Sequence, residues 1–365
     1  MLQRLRTLAR DLPRRVTFME VCGTHTHAIG AAGLRQLLPE RMRLVSGPGC
    51  PVCVTPVGYL DHAEALARQR GVELCSFGDL YRVPSSRGSL ERLAAEGFPV
   101  RIVYSPHDAL ALAEQHADSD LVFLSIGFET TTPTVAATLE TARERGVRNL
   151  RILPGNKRIA PALSALARDP DVRIDGLLLP GHVSVITGAA VYRFLAREHR
   201  LASVVAGFRP LEILAALIEL TRMLLAERPA LANLYPSVVR DEGNAVAQQL
   251  SERWFTAADA DWRGLGPIPD SGLRLRERAA DWDASRVAVE LPEAREPSGC
   301  RCGEVLRGAI DPPDCPLFAQ RCTPERPVGA CMVSSEGSCA AWFRHERASR
   351  PVARAAAARA KGDPA

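Results

Sequence analysis

The chain has 365 residues, which is enough for two or three domains with their own hydrophobic cores. Hydrophobic residues make up 46% and charged residues 24%, as is typical of a soluble globular protein. The 46 basic and 42 acidic residues leave a formal charge of only +4, without basic blocks, which argues against nucleic-acid binding. No apolar run approaches the roughly 18 residues of a membrane span, and the basic N-terminus lacks the apolar segment of a secretory signal.

The apolar pattern alternates between two kinds of segment from residue 16 to about residue 210. Short apolar runs end in Gly- or Pro-rich loops, and segments with helical apolar spacing follow them. The runs are VTFMEV (16–21), RLVS (43–46), VELCSF (72–77), VRIVYS (100–105), LVFLSIG (121–127), LRILPG (150–155), DGLLLPG (175–181) and SVVAGF (203–208). This alternation predicts an α/β protein whose parallel sheets are covered by helices.

The length and the number of strands predict a division into domains. Eight strands in about 195 residues suit two small lobes, and a break near residue 118 gives each lobe about four strands. The predicted domains are an α/β lobe at 1–118, a second α/β lobe at 119–229, a Cys-rich domain of loops and helices at 230–345, and a tail at 346–365. The tail is expected to be a frayed helix or disordered.

Unusual residues come directly after the predicted strands, in CGTHTH, GPGCPVC, GFETTTPT and PGHVS. Because the carboxyl ends of parallel strands form a binding crevice, these loops are expected to face one another. Cys22 precedes a turn that contains His25, an imidazole able to accept a thiol proton. Glu129 is predicted either to bind a ligand or to cap the next helix, and His182 either to face the crevice or to make a structural hydrogen bond.

The ten cysteines are unevenly distributed, with four in the first 75 residues and six between residues 300 and 339. Without a secretory signal, this predicts thiol chemistry or metal binding in the reducing cytoplasm rather than a disulfide framework. Cys50 and Cys53 form a CxxC motif, which favours redox exchange, with metal ligation and inert packing as alternatives. Cys75 lies inside an apolar run and is predicted to be buried.

The C-terminal cysteines follow a CxC motif with gaps of 13, 7, 9 and 8 positions. Zinc sites usually show paired CxxC motifs or added histidines, and long loops between thiols are more compatible with a [4Fe–4S] cluster. Disulfides remain an alternative. Six cysteines exceed the four that such a cluster needs, so two could form a redox-active pair beside it.

These motifs resemble those of a known family. CGTHT, GPGCPVC, GFETTTPT, PGHVS and the C-terminal CGEVLRG to PVGACMVSSEGSCAAW are similar to the HypD family of [NiFe]-hydrogenase maturation proteins, from about residue 10 to 345. The resemblance implies a complex with a small HypC-type chaperone, on which the Fe(CN)2CO unit of the hydrogenase is assembled. It also implies that a HypE-type partner supplies the cyanide.

The resemblance implies roles for individual residues. Cys22 would hold the iron of the transient Fe(CN)2CO precursor, His25 would lie beside it, and Cys50 and Cys53 would change redox state during cyanide transfer. The implied ligands of a [4Fe–4S] cluster are Cys300, Cys315, Cys322 and Cys339, with Cys302 and Cys331 as an accessory redox pair. A second assignment replaces Cys300 with Cys331 as a ligand.

The favoured interpretation is a redox-active assembly scaffold rather than a free-standing turnover enzyme. One alternative is a ferredoxin-linked protein disulfide reductase that uses Cys50, Cys53 and a [4Fe–4S] cluster, and that has no need of Cys22. Another alternative is a carrier that transfers an iron–sulfur cluster to other proteins.

Overall fold

The computed structural model describes residues 1–347, and residues 348–365 of the predicted tail lie outside this range. The strands are β1 (Val16–Glu20), β2 (Met42–Ser46), β3 (Val72–Ser76), β4 (Val100–Ile102), β5 (Asp120–Gly127), β6 (Leu150–Asn156), β7 (Gly176–Pro180), β8 (Ala202–Ala206), β9 (Leu231–Asn233), β10 (Phe255–Trp262) and β11 (Gly266–Leu275). Each of the eight predicted apolar runs contains one strand.

The helices of the first half are α1 (Leu2–Arg10), α2 (Gly23–Ala31), α3 (Leu34–Leu37), α4 (Pro51–Val54), α5 (Val57–Ala67), α6 (Gly78–Tyr81), α7 (Leu90–Ala95), α8 (Pro106–Gln115), α9 (Thr132–Arg145) and α10 (Ile159–Arg168). Those of the second half are α11 (Gly181–Thr187), α12 (Arg193–Glu198), α13 (Pro210–Leu225), α14 (Ala245–Trp254), α15 (Cys302–Leu306), α16 (Ala330–Val333) and α17 (Ser338–His345). Among residues 1–347, no helix combines the length and apolarity needed to span a bilayer.

Two parallel sheets form the framework, which confirms the predicted α/β class. The first sheet has the order β2-β1-β7-β8-β9, and the second has the order β4-β3-β5-β6. The inner strands are buried almost throughout, because helices cover both faces of each sheet. Helices α1 and α13 pack on one face of the first sheet, and α8 and α9 pack on the second.

The distribution of strands between the sheets differs from the predicted one. A break near residue 118 would have placed β1 to β4 in one lobe, whereas β1 pairs with both β2 and β7 in the first sheet. The chain leaves that sheet after β2, builds the second sheet from β3 to β6, and returns at β7. The predicted grouping of strands is therefore wrong, because strand pairing here joins segments far apart in the chain rather than consecutive units.

Residues after 230 also join these sheets. Strand β9 extends the edge of the first sheet, while the antiparallel hairpin β10–β11 and α14 pack against β6, α9 and α10. Between the two sheets lies a shared hydrophobic core, which also contains the cysteines of GPGCPVC and most of the C-terminal cysteines. The sheets and the Cys-rich segment therefore depend on one another for burial.

Trp254, at the end of α14, connects the C-terminal region to the second sheet. Its ring is fully buried, stands edge-on to Trp282 at 6.0 Å, and donates a hydrogen bond from Nε1 to Glu140 at 2.8 Å. We expect Trp254→Ala to lower the free energy of unfolding by about 3–5 kcal/mol, because it leaves a cavity and removes the hydrogen bond to Glu140. Urea denaturation measures this change. Val246→Ala on the same helix is the control, since Val246 is 76% exposed.

A loss below about 1 kcal/mol for Trp254→Ala would contradict this role, since exposed substitutions alone reach about 0.5 kcal/mol.

Candidate functional site

A cleft lies at the carboxyl ends of the strands, where the four predicted loops meet. Residues from CGTHTH, GPGCPVC, GFETTTPT and PGHVS line it together with one loop of the C-terminal segment. The lining residues are Val21, Cys22, Thr24, Gly49, Pro51, Phe128, Thr130, Thr131, Ile159, Pro180, His182, Val183 and Glu336. The expectation that these loops face one another is confirmed.

Cys22 is held at the bottom of this cleft, between the end of β1 and the start of α2. Its backbone is extended, and its N–H donates to Glu20 Oε2 at 3.2 Å. Thr26 Oγ1 donates to the other oxygen of the same carboxylate at 2.5 Å. Burial raises the pKa of the Cys22 thiol to about 12, although the backbone N–H groups of His25 and Thr24 lower it.

The GPGC loop packs directly on the backbone of Cys22. The N–H of Gly23 donates to the Gly49 carbonyl at 3.2 Å, and the N–H of Gly47 donates to the Glu20 carbonyl at 2.7 Å. A Cβ at Gly49 would overlap the backbone of Cys22. Only glycine at this position allows the CxxC motif to lie against the end of β1.

Cys50 precedes the short helix α4, and Cys53 lies within it. Cys50 is its N-cap residue, and the N–H of Cys53 donates to the Cys50 sulfur at 3.2 Å. Both are buried, with 3% and 0% of their surface exposed. Burial raises the pKa of the Cys53 thiol well above its usual value. Pro51 lies between the two thiols and faces the same cleft as Cys22.

The two predicted histidines have different surroundings. His25 is fully buried, its Nε2 lies 2.9 Å from the Gly207 carbonyl, and burial lowers its pKa to about 4. Its ring packs on Phe208 at 4.7 Å and is not part of the cleft lining. His182 is exposed, also packs on Phe208 at 4.1 Å, and lines the cleft. The buried and the exposed imidazole therefore share one aromatic neighbour.

Glu129 caps a helix, but not the helix that follows it in sequence. Oε1 accepts the N–H of Ile159 at 3.0 Å, at the start of α10, so the side chain caps that helix rather than α9. Oε2 is inaccessible to water and has no hydrogen-bond partner, although the residue as a whole is only partly buried. Burial raises the pKa of this carboxyl to about 7.

The six C-terminal cysteines surround one apolar pocket. Cys300, Cys302, Cys315, Cys322, Cys331 and Cys339 line it, together with Val305, Leu317, Phe318, Gly329 and Met332. The sulfurs of Cys302 and Cys331 lie 2.6 Å apart, and the N–H of Val328 donates to the Cys322 sulfur at 3.3 Å. In residues 1–347 no group of three or more His, Cys, Asp or Glu side chains could hold a single metal ion.

This pocket is compatible with an iron–sulfur cluster. Its donors are all thiols, its walls are apolar, and four cysteines remain when the close Cys302–Cys331 pair is set aside. Thiolates are the ligands of [4Fe–4S] clusters. A Cβ at Gly329 would come within 2.5 Å of the Cys300 sulfur, so glycine keeps space for that thiol.

The CxxC thiols and this pocket are adjacent. The Cys53 sulfur lies 4.0 Å from the Ala330 carbonyl, and the Cys53 side chain is hydrogen-bonded to Cys331. Cys331 contacts Cys302, and Cys302 contacts Cys300. A continuous row of sulfur atoms therefore runs from α4 to the C-terminal pocket.

Comparison with known proteins assigns the family. The model of the HypD family, described as "Hydrogenase formation hypA family", matches residues 1–346. The chain belongs to the HypD family. It is 44% identical over 350 residues to the hydrogenase maturation factor HypD of Azotobacter vinelandii, covering 94% of this chain and 92% of that one.

Other HypD proteins are similarly close. The identity to the Rhizobium leguminosarum bv. viciae factor is 43% over 373 residues, with 97% of each chain covered. The Escherichia coli factor is 43% identical over 347 residues, which cover 94% of this chain and 93% of the relative. The protein is therefore a hydrogenase maturation factor of the HypD family.

Two carboxylates of this HypD chain were missed by sequence reasoning. Glu20 ends the apolar strand β1 and is fully buried, and burial raises its pKa to about 7. The sequence signal that could have identified Glu20 is its position as a charged residue at the end of an apolar run. Glu336 lies more than 300 positions from Cys22 in sequence, yet it lines the cleft and accepts a hydrogen bond from Thr24 Oγ1 at 3.0 Å. Nothing in the local sequence indicates that contact.

The raised pKa of Glu129 predicts a pH dependence of stability. The folded state keeps the proton to about pH 7, whereas the unfolded chain loses it near pH 4.5, so the free energy of unfolding falls with rising pH across this window. We expect Glu129→Gln to reduce that fall by at most about 3 kcal/mol. Urea denaturation of the reduced protein at pH 4.5 and pH 8 measures the difference.

Glu91→Gln is the matched control, because the Glu91 side chain is 58% exposed. It should leave the wild-type pH dependence unchanged. Equal pH dependence in the wild type and in Glu129→Gln would contradict the burial of this carboxyl.

Proposed function

We propose that this protein is the scaffold on which the Fe(CN)2CO unit of a [NiFe]-hydrogenase is assembled, with Cys22 as a ligand of the iron. The observation that carries this proposal is the position of Cys22 in the cleft, with the CxxC loop packed on its backbone. The family is one of hydrogenase maturation factors. We place the reaction in the cytoplasm, where thiols stay reduced.

Cys22 must lose its proton to bind iron, because the thiolate is the metal ligand. Burial opposes this loss, so the free thiol stays protonated until a metal ion replaces the proton or a base removes it. The N–H groups of Thr24 and His25 stabilise negative charge on the sulfur. The Glu336 carboxylate in the same cleft is positioned to accept the proton. Thiolate is a soft donor that suits low-spin iron with cyanide and carbon monoxide ligands.

Two partners complete the assembly in this proposal. A small HypC-type chaperone shares the iron through a cysteine of its own, and a HypE-type protein donates cyanide. The cleft supports this arrangement because His182 in its lining is exposed, whereas Cys22 is only 7% exposed. A partner can therefore contact the cleft while the ligand thiol stays shielded.

The CxxC thiols supply the redox step. Reduction of a Cys50–Cys53 disulfide takes two electrons and two protons and yields two thiols. A [4Fe–4S] cluster held by Cys300, Cys315, Cys322 and Cys339 supplies single electrons when it is bound. The accessory pair, Cys302 and Cys331, lies between these ligands and Cys53 in the row of sulfur atoms. This row favours direct electron exchange between the two thiol sites.

Infrared spectroscopy tests the scaffold role. We expect the complex with its HypC-type partner, purified anaerobically from cells that express the cyanide-donating partners, to show nitrile-type and metal-carbonyl stretches. Cys22→Ala should remove them, because the iron loses its ligand on this chain. Cys75→Ala is the matched control, since Cys75 is equally a buried thiol but lies within β3. It should keep the bands.

A wild-type complex that holds a cluster but shows no such bands would overturn the proposal. That result would favour a protein disulfide reductase that uses Cys50 and Cys53.

Serine substitutions test the ligands of the cluster. We expect wild-type protein, reconstituted anaerobically, to bind about four iron and four sulfide ions. Serine at Cys315, Cys322, Cys339 or Cys300 should lower that content, because each removes a thiolate ligand. Cys302→Ser should keep it, and so should Cys331→Ser. Iron and acid-labile sulfide analysis gives the content of each variant.

If Cys300→Ser retains iron and Cys331→Ser loses it, the fourth ligand is Cys331 rather than Cys300. A wild type that binds no iron would reject the cluster.

A further inference from the structure

Arg263 is a buried cation for which the proposed reaction gives no role. It begins the turn between β10 and β11 and is only 4% exposed. Its backbone N–H donates to the Val54 carbonyl at 2.9 Å, and its Nε donates to the Thr55 carbonyl at 2.9 Å. These bonds attach the turn to the end of α4, the helix that carries Cys50 and Cys53.

The same turn contacts the C-terminal pocket. Gly264 has a φ of +81°, and a Cβ there would overlap the backbone of Gly303. Gly303 follows Cys302 at the start of α15, so the two glycines bring the turn against the CxC motif. Arg263 therefore lies between the CxxC thiols and the thiols of the C-terminal pocket.

The guanidinium of Arg263 is poorly compensated in its buried position. Nη1 lies 3.3 Å from Glu296 Oε2, but the Glu296 side chain is 56% exposed. Neither Nη1 nor Nη2 has a hydrogen-bond partner, and both atoms are inaccessible to water. A buried charge whose ion pair is made with an exposed carboxylate is only weakly compensated, and an uncompensated buried charge costs several kcal/mol. Such a cation is expected where negative charge is present in the functional state of the protein.

The neighbouring thiols can supply that charge. The positive charge of Arg263 acts on Cys300. The contact between Gly264 and Gly303 brings its turn against Cys302 of the same pocket. Thiolates that hold a cluster carry negative charge, and Arg263 is a buried cation beside them.

We propose that Arg263 is a positioning residue that balances the negative charge of the C-terminal thiolates and raises the reduction potential of the cluster they bind. This inference rests on the cluster in the proposed function. Reduction adds one negative charge to the cluster, and a fixed positive charge in an interior of low dielectric constant stabilises the reduced form. The hydrogen bonds from the backbone N–H and from Nε of Arg263 to the end of α4 fix the distance between that charge and the pocket.

A redox titration of the reconstituted full chain, followed by electron paramagnetic resonance, measures this effect. We expect Arg263→Gln to lower the ratio of reduced to oxidised cluster about tenfold at a fixed potential. This change corresponds to a reduction potential that is lower by about 59 mV for a one-electron couple. Arg263→Lys should stay within about threefold of the wild type, because it keeps the charge but loses the fork of donors. A purely structural role of the Nε bond to Thr55 would be lost in both variants, because neither lysine nor glutamine has this donor.

Glu296→Gln provides a change of opposite sign. Removal of the carboxylate leaves the guanidinium uncompensated, so the ratio of reduced to oxidised cluster should rise. Glu293→Gln is the matched control, because Glu293 lies on the same exposed segment, is 82% exposed and pairs with Arg295 instead. It should leave the ratio unchanged.

The outcomes separate this inference from the proposed function. A wild type that binds no cluster overturns this inference and the cluster of the proposed function, and leaves the role of Cys22 to the infrared test. A wild type with a cluster whose potential equals that of Arg263→Gln overturns only the role of Arg263. If Arg263→Gln fails to fold or to bind the cluster, Glu296→Gln and Arg263→Lys test the inference instead. A higher ratio in Glu296→Gln with a near-wild-type Arg263→Lys supports the inference, and an unchanged ratio in Glu296→Gln overturns it.

Discussion

The close packing of the GPGC loop on the end of β1 is the contact on which the functional geometry depends. It places the CxxC motif beside Cys22 and against the shared core, so that one loop borders both the cleft and the C-terminal pocket. Glycine at position 49 permits it, because any Cβ there would overlap the Cys22 backbone. The need for glycine at position 49 thereby fixes the distance between the cleft and the C-terminal pocket.

Desolvation is the main electrostatic influence on these sites. Burial raises the pKa values of Cys22 and Cys53, and of the carboxyls of Glu20 and Glu129. The interior thus favours neutral, protonated groups until a metal ion, a cluster or an oxidant replaces the proton. Thiols are well suited to such a place, since protonated cysteine packs as a small hydrophobic residue. The thiols can therefore be buried in their neutral form, without the cost of an unpaired charge.

The strands, the α/β class and the meeting of the four loops could be predicted, because apolar runs and turn residues are local signals. The sheet order could not, because β1 and β7 are similarly apolar and pair over more than 150 positions. Glu336 was missed for the same reason. His25 is close to Cys22 in sequence, but its backbone N–H faces the sulfur while its ring contacts Gly207. Arg263 belongs to no sequence motif. Its importance can be inferred only from its burial and from its two hydrogen bonds to the end of α4.

The order of strands has a consequence for synthesis. β1 and β2 leave the ribosome early, but the neighbour of β1 on its other side, β7, follows only after the whole second sheet. Pro180 ends β7 itself, Val183 follows it, and Glu336 is made much later still. Until then Cys22 lacks the surroundings that shield it, and long-range pairing of this kind forms slowly. The nascent chain therefore completes the cleft around Cys22 only when nearly the whole described chain has been translated.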